Sequence, residues 1–356
     1  MSPPPSSLRP VLVTGGAGFI GCNLADRLVR EGHRVLLYDS LARPGAEHNI
    51  AWLRERHGKR VSLLSEDIRD ARALAAAVRG TAAVFHFAAQ VAVTSSIADP
   101  VEDFGVNLAG TLNVLEAVRN LPRPVPVVFA STNKVYGDLS DIALVNEADA
   151  YLPGDEILRS RGIPEERPLD FRTPYGCSKG AADQYVLDYA RSYRIPATVM
   201  RMSCIYGPHQ HGTEDQGWVA HFMIRALRGE PIMIYGDGRQ VRDILFVDDA
   251  VEAYIRASRH IGQISGRAFN LGGGPVNAVS LLQLIGHIEG LIGRRIDVAF
   301  HDWRAGDQRY YVSDTRRIAR ELGLPAPTPW RAGVARLADW LMDAARETTR
   351  RQLAGA

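Results

Sequence analysis

Cysteine is scarce in this chain. Three occur among 356 residues, at Cys22, Cys177 and Cys204. They are too few and too scattered for a disulfide framework or a thiolate metal site, so a cytoplasmic protein without a metal is expected. Long hydrophobic runs are absent too, and none reaches the length that spans a bilayer. The Pro/Ser-rich opening, Met1 to Pro10, lacks the apolar core of a signal peptide. No membrane partner is expected. Neither sign of charge dominates: the formal net charge is +2, with 23% of residues charged. Without a basic block, nucleic acid is not an expected partner. There is no internal repeat. The length suits one large or two modest domains, and Arg346 to Ala356 reads as a polar helix end or a frayed tail.

What is present begins at Val11. The apolar run Val11-Leu12-Val13-Thr14 predicts a buried parallel strand. Gly15, Gly18 and Gly21 follow at three-residue spacing, with Phe19 and Ile20 before the last of them. A helical stretch from Cys22 to Glu31 then stops at Gly32. Glycines in this pattern let a backbone turn sharply, approach a pyrophosphate and pack helix on strand. The helix N-terminus adds amide donors and the positive end of a dipole. A second strand, Arg34 to Tyr38, ends at Asp39, where a carboxylate is expected to hold an adenosine ribose. A carboxylate there disfavours a 2′-phosphate, so NAD is the expected cofactor. Nearby Arg43 keeps NADP as an alternative.

The alternation continues. Val61 to Leu64 predicts a strand, followed by Asp67 and Ile68. Asp67 is placed to meet an adenine amino group, to cap the next helix, or both. Ala83 to Phe87 predicts another strand, ending in Ala88, Ala89 and Gln90, where small residues let the backbone come close to a cofactor. Val101 to Asn120 reads as a helix carrying Asn107, an amide that needs partners in neighbouring loops or in the cofactor. Val125 to Ala130 is the strand expected to deliver Thr132, Tyr175 to Tyr193 a long helix, and Ala197 to Met202 the next strand. The fold class this predicts is α/β, a Rossmann-type doubly wound parallel sheet over residues 1–205, with segments near 240–272 returning to it. Beyond it, Gly217 to Gly229 reads as a helix, and Ile232 to Asp243 as a strand, a tight turn and a second strand. Residues 206–356 are expected to form mainly a smaller C-terminal α/β lobe that binds substrate.

Thr132, Tyr175 and Lys179 are the candidate catalytic residues. Tyr and Lys four residues apart share one helix face. A nearby ammonium stabilises phenolate and is expected to lower the Tyr pKa from about 10. The Thr hydroxyl is suited to hold a substrate oxygen in line with that phenolate. His209 and His211 have a spacing that permits metal ligation, but no acidic or thiol partner accompanies them, so a solvated loop is expected.

The Gly15/Gly18/Gly21 loop, Asp67-Ile68, Ala88-Ala89-Gln90, Thr132, Tyr175/Lys179 and Arg242-Asp243 together resemble the extended short-chain dehydrogenase/reductase family. The resemblance runs from about Val11 to Leu341. Segments 131–138, 174–185 and 215–219, and the insert from Asn146 to Thr173, resemble more narrowly the CDP-sugar 2-epimerases of that family. The resemblance implies tightly bound NAD and a nucleoside-diphosphate sugar substrate, CDP-linked for preference and UDP-linked as the alternative. It also implies a homodimer or homotetramer, paired through the helices at Val101–Asn120 and Ala181–Tyr193.

Family activities divide at the residues after the Thr. A dehydratase of this family carries Asp-Glu there, whereas this chain has Asn133 and Lys134. Asn is no acid at neutral pH, so elimination is disfavoured and oxidation followed by re-reduction is favoured. Lys134 is placed to touch the sugar or a phosphate, or to carry a surface charge. The resemblance puts Arg242 on the diphosphate, and Arg304 is suited to the same role, since guanidinium forks match phosphate oxygens. Arg242 beside Asp243 is also consistent with a structural ion pair. Gln216 and Trp218 face the sugar or base, or Trp218 is a core aromatic. A UDP-hexose or UDP-uronate 4-epimerase and a catalytically silent NAD-binding sensor are the alternative functions.

Overall fold

The structure is a computed structural model. It describes residues 9–354 apart from 305, with side chains through residue 346. Seven parallel strands form the central sheet. In spatial order they are Ala268–Leu271, Ala197–Met202, Val127–Thr132, Val84–His86, Val11–Thr14, Val35–Tyr38 and Val61–Leu64. The strand order reverses between Val84–His86 and Val11–Thr14, and a crevice opens beyond the carboxyl ends of the strands at such a reversal.

Alternation along each strand builds two cores. Leu12, Val84, Phe129 and Val199 pack against Leu74, Val114, Val118 and Val186 of the helices Ala71–Val78, Gly110–Arg119 and Thr173–Ser192. Val13, Leu37, Phe85, Val128 and Met200 pack on the other face against Leu24, Leu28, Val251 and Ile255 of Phe19–Arg30 and Val247–Arg259. Strands buried on both faces read as continuous apolar runs, which is why they stood out in the sequence.

Several elements differ from expectation in detail. The first helix starts at Phe19, in contact with the glycine loop, rather than at Cys22. The expected Val101–Asn120 helix is broken into Pro100–Phe104 and Gly110–Arg119 by a π-helical turn over Gly105–Ala109. The strand expected to end at Ala130 runs on to Thr132, so Thr132 is its last residue. The cap on the Ala71–Val78 helix is Asp70, whose carboxylate accepts from the Arg72 and Ala73 amides, and not Asp67.

The C-terminal segments build smaller sheets. Val241–Phe246 pairs with Cys204–Tyr206, Ala278–Ser280 and Tyr310–Tyr311. Ile232–Tyr235 pairs with Val298–His301 and not with Val241–Phe246, its neighbour in sequence. Gly236 and Gly238, at φ +92° and +78°, lie between the two strands in a backbone region that side chains rarely adopt. Leu144–Glu147 and Ala150–Pro153 form an antiparallel hairpin. Among the described residues, no helix is long and apolar enough to cross a membrane.

Candidate active site

The carboxyl ends of the strands open onto one elongated cleft of about 500 Å³. Gly15, Gly18, Phe19, Ile20 and Gly21 line it, with Asp39, Asp67 and Ile68. Ala88, Ala89, Gln90, Tyr175 and Lys179 line it as well. Gly15 has φ +66°, and a Cβ there would sit 2.6 Å from the Ala88 amide nitrogen. At Gly21 a Cβ would meet the Gly15 carbonyl at 2.4 Å. Both positions therefore exclude any side chain. Asp39 accepts from the Ala17 amide and the Leu41 amide, each at 2.9 Å, which braces the loop as well as lining the cleft. Burial pushes its carboxyl pKa up against those hydrogen bonds. Beneath the loop, His86 is fully buried between the hydroxyls of Thr14 (2.7 Å) and Thr111 (3.0 Å). Burial, with a smaller effect from Lys179, pulls its pKa down to about 3, so its ring is neutral. Asp67 lies on the cleft rim and chelates Arg69.

Thr132 ends its strand, and its hydroxyl donates to the Asn133 side-chain oxygen at 3.3 Å, accepts from the Lys134 amide at 3.2 Å and acts on the acidity of the Tyr175 phenol. Burial pushes that phenol up to about 12, and the Thr132 hydrogen bond opposes the shift. The expected lowering by Lys179 is not found: burial and Asp103 raise the phenol, and the cation that lowers it is Arg43. The Lys179 ammonium instead donates to the Ala130 carbonyl at 2.6 Å and lies 4.2 Å from the centroid of the Phe129 ring. Burial pulls it down to about 7, against Asp183 and Asp103. Asn107 does not line the cleft. Its amide donates to Asp103 (3.0 Å) and to Ser178 (3.1 Å), the residue before Lys179, so it braces the catalytic helix from beneath.

The substrate candidates are partly engaged with one another. Asn133 donates to the Gln308 side chain at 3.2 Å. Lys134 donates to the Gly306 carbonyl at 3.2 Å and lies 3.5 Å from Asp307. Arg242 is buried and pairs with Asp307 at 2.8 Å, so its ion-pair partner is Asp307 and not the adjacent Asp243. Burial pushes the Asp307 carboxyl up, and Arg242 and Lys134 more than offset this, leaving it below its usual range. Arg304 pairs with Glu214 and Asp215 and lies over the Tyr235 ring. Gln216 lines the cleft, but Trp218 does not: its indole donates to the Cys204 sulfur and packs edge-on to Phe222.

Sequence reasoning missed Gln308. It is fully buried, accepts from Asn133 and donates to the Gly137 carbonyl at 2.7 Å, so it clamps the turn that follows Thr132. It missed Asp307 as the shared partner of Lys134 and Arg242, although Gly306-Asp307-Gln308 follows closely after Arg304. His209 is half-buried against Trp52, which corrects the expected solvated loop.

Comparison with known proteins agrees with this geometry. Residues 11–272 match the NAD dependent epimerase/dehydratase family. The chain is 39% identical to the CDP-paratose 2-epimerase of Salmonella typhi, over 93% of this chain and 98% of that protein. It is 33% identical to a dTDP-glucose 4,6-dehydratase of Mycolicibacterium smegmatis, over 93% of this chain and 92% of that one. The structure of a Thermus thermophilus UDP-glucose 4-epimerase, solved as a complex with NAD, matches at TM-score 0.76 and 30% identity, covering 93% of this chain and 98% of that one. The matched residues carry the glycine cradle that no Cβ can enter, the acidic residue after the second strand, Thr132, Tyr175 and Lys179, and the chain belongs to the NAD dependent epimerase/dehydratase family.

Proposed function

We propose that this protein inverts C2 of a CDP-linked hexose or deoxyhexose through a transient 2-keto sugar. The observation that carries the reading is Tyr175 on the cleft wall with Thr132 acting on its phenol, and Asn133 and Lys134 after Thr132 where elimination would need an acid and a base. A sugar C2–H beside the anomeric carbon is not acidic, so direct deprotonation does not epimerise it. Bound NAD supplies an oxidant for that carbon and the matching reductant later in the same turnover.

The residues divide the remaining work. Gly15, Gly18, Phe19, Ile20 and Gly21 receive the pyrophosphate, Asp39 the adenosine ribose, Asp67 and Ile68 the adenine, and Ala88 to Gln90 the ribose beyond. Tyr175, as phenolate, takes the proton of the 2-hydroxyl and later returns one to the new hydroxyl. Thr132 holds that oxygen. Lys179 holds the nicotinamide ribose, and Arg43 and the Thr132 hydroxyl work against the burial that raises the Tyr175 phenol. Asn133 and Lys134, fixed by Gln308 and Gly306, face the sugar, with Gln216 on the cleft wall. Arg242 and Arg304 exchange their carboxylate partners for the diphosphate. Residues up to 205, with the strand at Ala268–Leu271, serve the cofactor, and most of the rest serve the substrate.

Ile97, Val101 and Phe104 on the helices beside the Tyr175 helix, and Tyr185 on that helix itself, expose apolar surface, which supports pairing of two copies there. The free cysteines suit a cytoplasmic enzyme. The likeness to UDP-glucose 4-epimerases keeps inversion at C4 of a UDP sugar as the second reading. An NMR assay with CDP-paratose, CDP-glucose, UDP-glucose and UDP-glucuronate separates the two. Inversion at C2 of a CDP sugar is expected, and inversion only at C4 of a UDP sugar would overturn the proposal.

A further inference from the structure

The segment from residue 207 to residue 217 crosses from the C-terminal part of the chain onto the cofactor end of the cleft. His209, Gln210, His211, Thr213 and Gln216 of this segment line the cleft. It is tied down at named points. The Asn23 amide donates to the Pro208 carbonyl at 3.0 Å. Asn49 donates to the Ala17 carbonyl in the glycine loop at 3.0 Å and to the His209 carbonyl at 3.4 Å, so one amide joins the segment to the cradle. The His209 ring stacks on Trp52 with centroids 3.7 Å apart and planes 28° apart, and Trp340 packs against it at 5.0 Å. His209 also has φ +68°, a left-handed conformation that a non-glycine residue adopts at a cost and keeps only where its surroundings hold it. Burial, reinforced by His211, pulls its pKa down to about 4, so a neutral ring lies between the two indoles at working pH.

We propose that residues 207–217 form a strap that retains NAD from one turnover to the next, and that the His209 ring clamped between Trp52 and Trp340 is its fastening. The inference rests on the reading that the cleft holds NAD. The chemistry gives the strap its purpose: losing the cofactor between oxidation and re-reduction would strand a keto sugar that this enzyme has no other means to reduce. Trp52 comes from the helix Ala46–His57 on the cofactor side and Trp340 from the last helix, Trp330–Ala354, so the clamp fastens the strap from both sides.

The test is the rate at which bound NAD exchanges with labelled NAD in desalted protein. Trp52→Ala is expected to speed exchange about ten-fold, the scale of one lost aromatic pair. Trp52→Phe, which keeps a flat ring, is expected to stay near the wild-type rate. Asn23→Ala, which frees the strap at Pro208 and leaves the rings in place, is expected to speed exchange as well, and it carries the comparison should Trp52→Ala not fold. Exchange unchanged in both Trp52→Ala and Asn23→Ala, whatever happens to their melting temperatures, would overturn the strap. Wild-type protein that neither carries nor takes up NAD would instead remove the cofactor reading, and the strap with it.

Discussion

The phenol of Tyr175 lies buried against Thr132, and its acidity is set by that burial before any neighbour acts on it. Tyr175→Phe removes the proton acceptor while keeping the ring, so kcat is expected to fall by about 10²–10⁴-fold with NAD still bound. Steady-state kinetics with a parallel count of bound cofactor checks this. His86 offers a second residue-scale test. Its ring stays neutral in the fold down to about pH 3, whereas the same imidazole in the unfolded chain takes a proton near 6.5. Its contribution is therefore complete above about pH 6.5 and is lost progressively as pH falls towards 3. His86→Gln is expected to flatten that part of the stability profile, measured by denaturant unfolding at a series of pH values. That Tyr175 and Lys179 would share one helix face on the cleft was legible in the sequence, because helical spacing carries it. The direction of the Tyr175 shift was not legible, because it depends on how much protein lies over the ring.

Among elements, the catalytic helix Thr173–Ser192 is locked to the sheet by a buried ion pair. Arg201, on the strand Ala197–Met202, holds Asp183 through two hydrogen bonds at 2.9 and 3.0 Å, and Ser131 donates to the same carboxylate at 2.8 Å. The pair thus connects the helix carrying Tyr175 to the residue before Thr132. Asp183→Asn leaves the Arg201 guanidinium buried without its counter-ion, and a loss of about 3–5 kcal/mol is expected, read from chemical unfolding. A loss below about 1 kcal/mol would mean that the helix is held by its apolar face alone. The strands and helices of this half were legible because apolar runs and 3.6-residue periodicity repeat from Val11 to Met202. The π-helical turn at Gly105–Ala109 was not, since no local pattern marks it, and the bond from its Asn107 to Ser178 joins residues 71 positions apart.

At the scale of the whole molecule, the two parts of the chain meet through contacts between residues far apart in sequence. Asn133 reaches Gln308 across 175 positions and Lys134 reaches Gly306, while within the C-terminal part Arg304 reaches back to Glu214. No periodicity marks such pairs, so the sequence could name Arg242 and Arg304 as candidates without revealing that carboxylates hold both. It could likewise propose a cofactor cleft from the glycines and Asp39 without showing the strap laid across it. The proposed chemistry depends on that assembly. A sugar carbon oxidised and re-reduced in one closed site keeps its own hydrogen, whereas a carbon epimerised by deprotonation exchanges it with solvent. The most direct measurement is turnover of CDP-paratose deuterated at C2, in ordinary water, with the product examined by NMR. The account predicts inverted sugar that retains deuterium at C2, and inverted sugar carrying solvent hydrogen at C2 would contradict it.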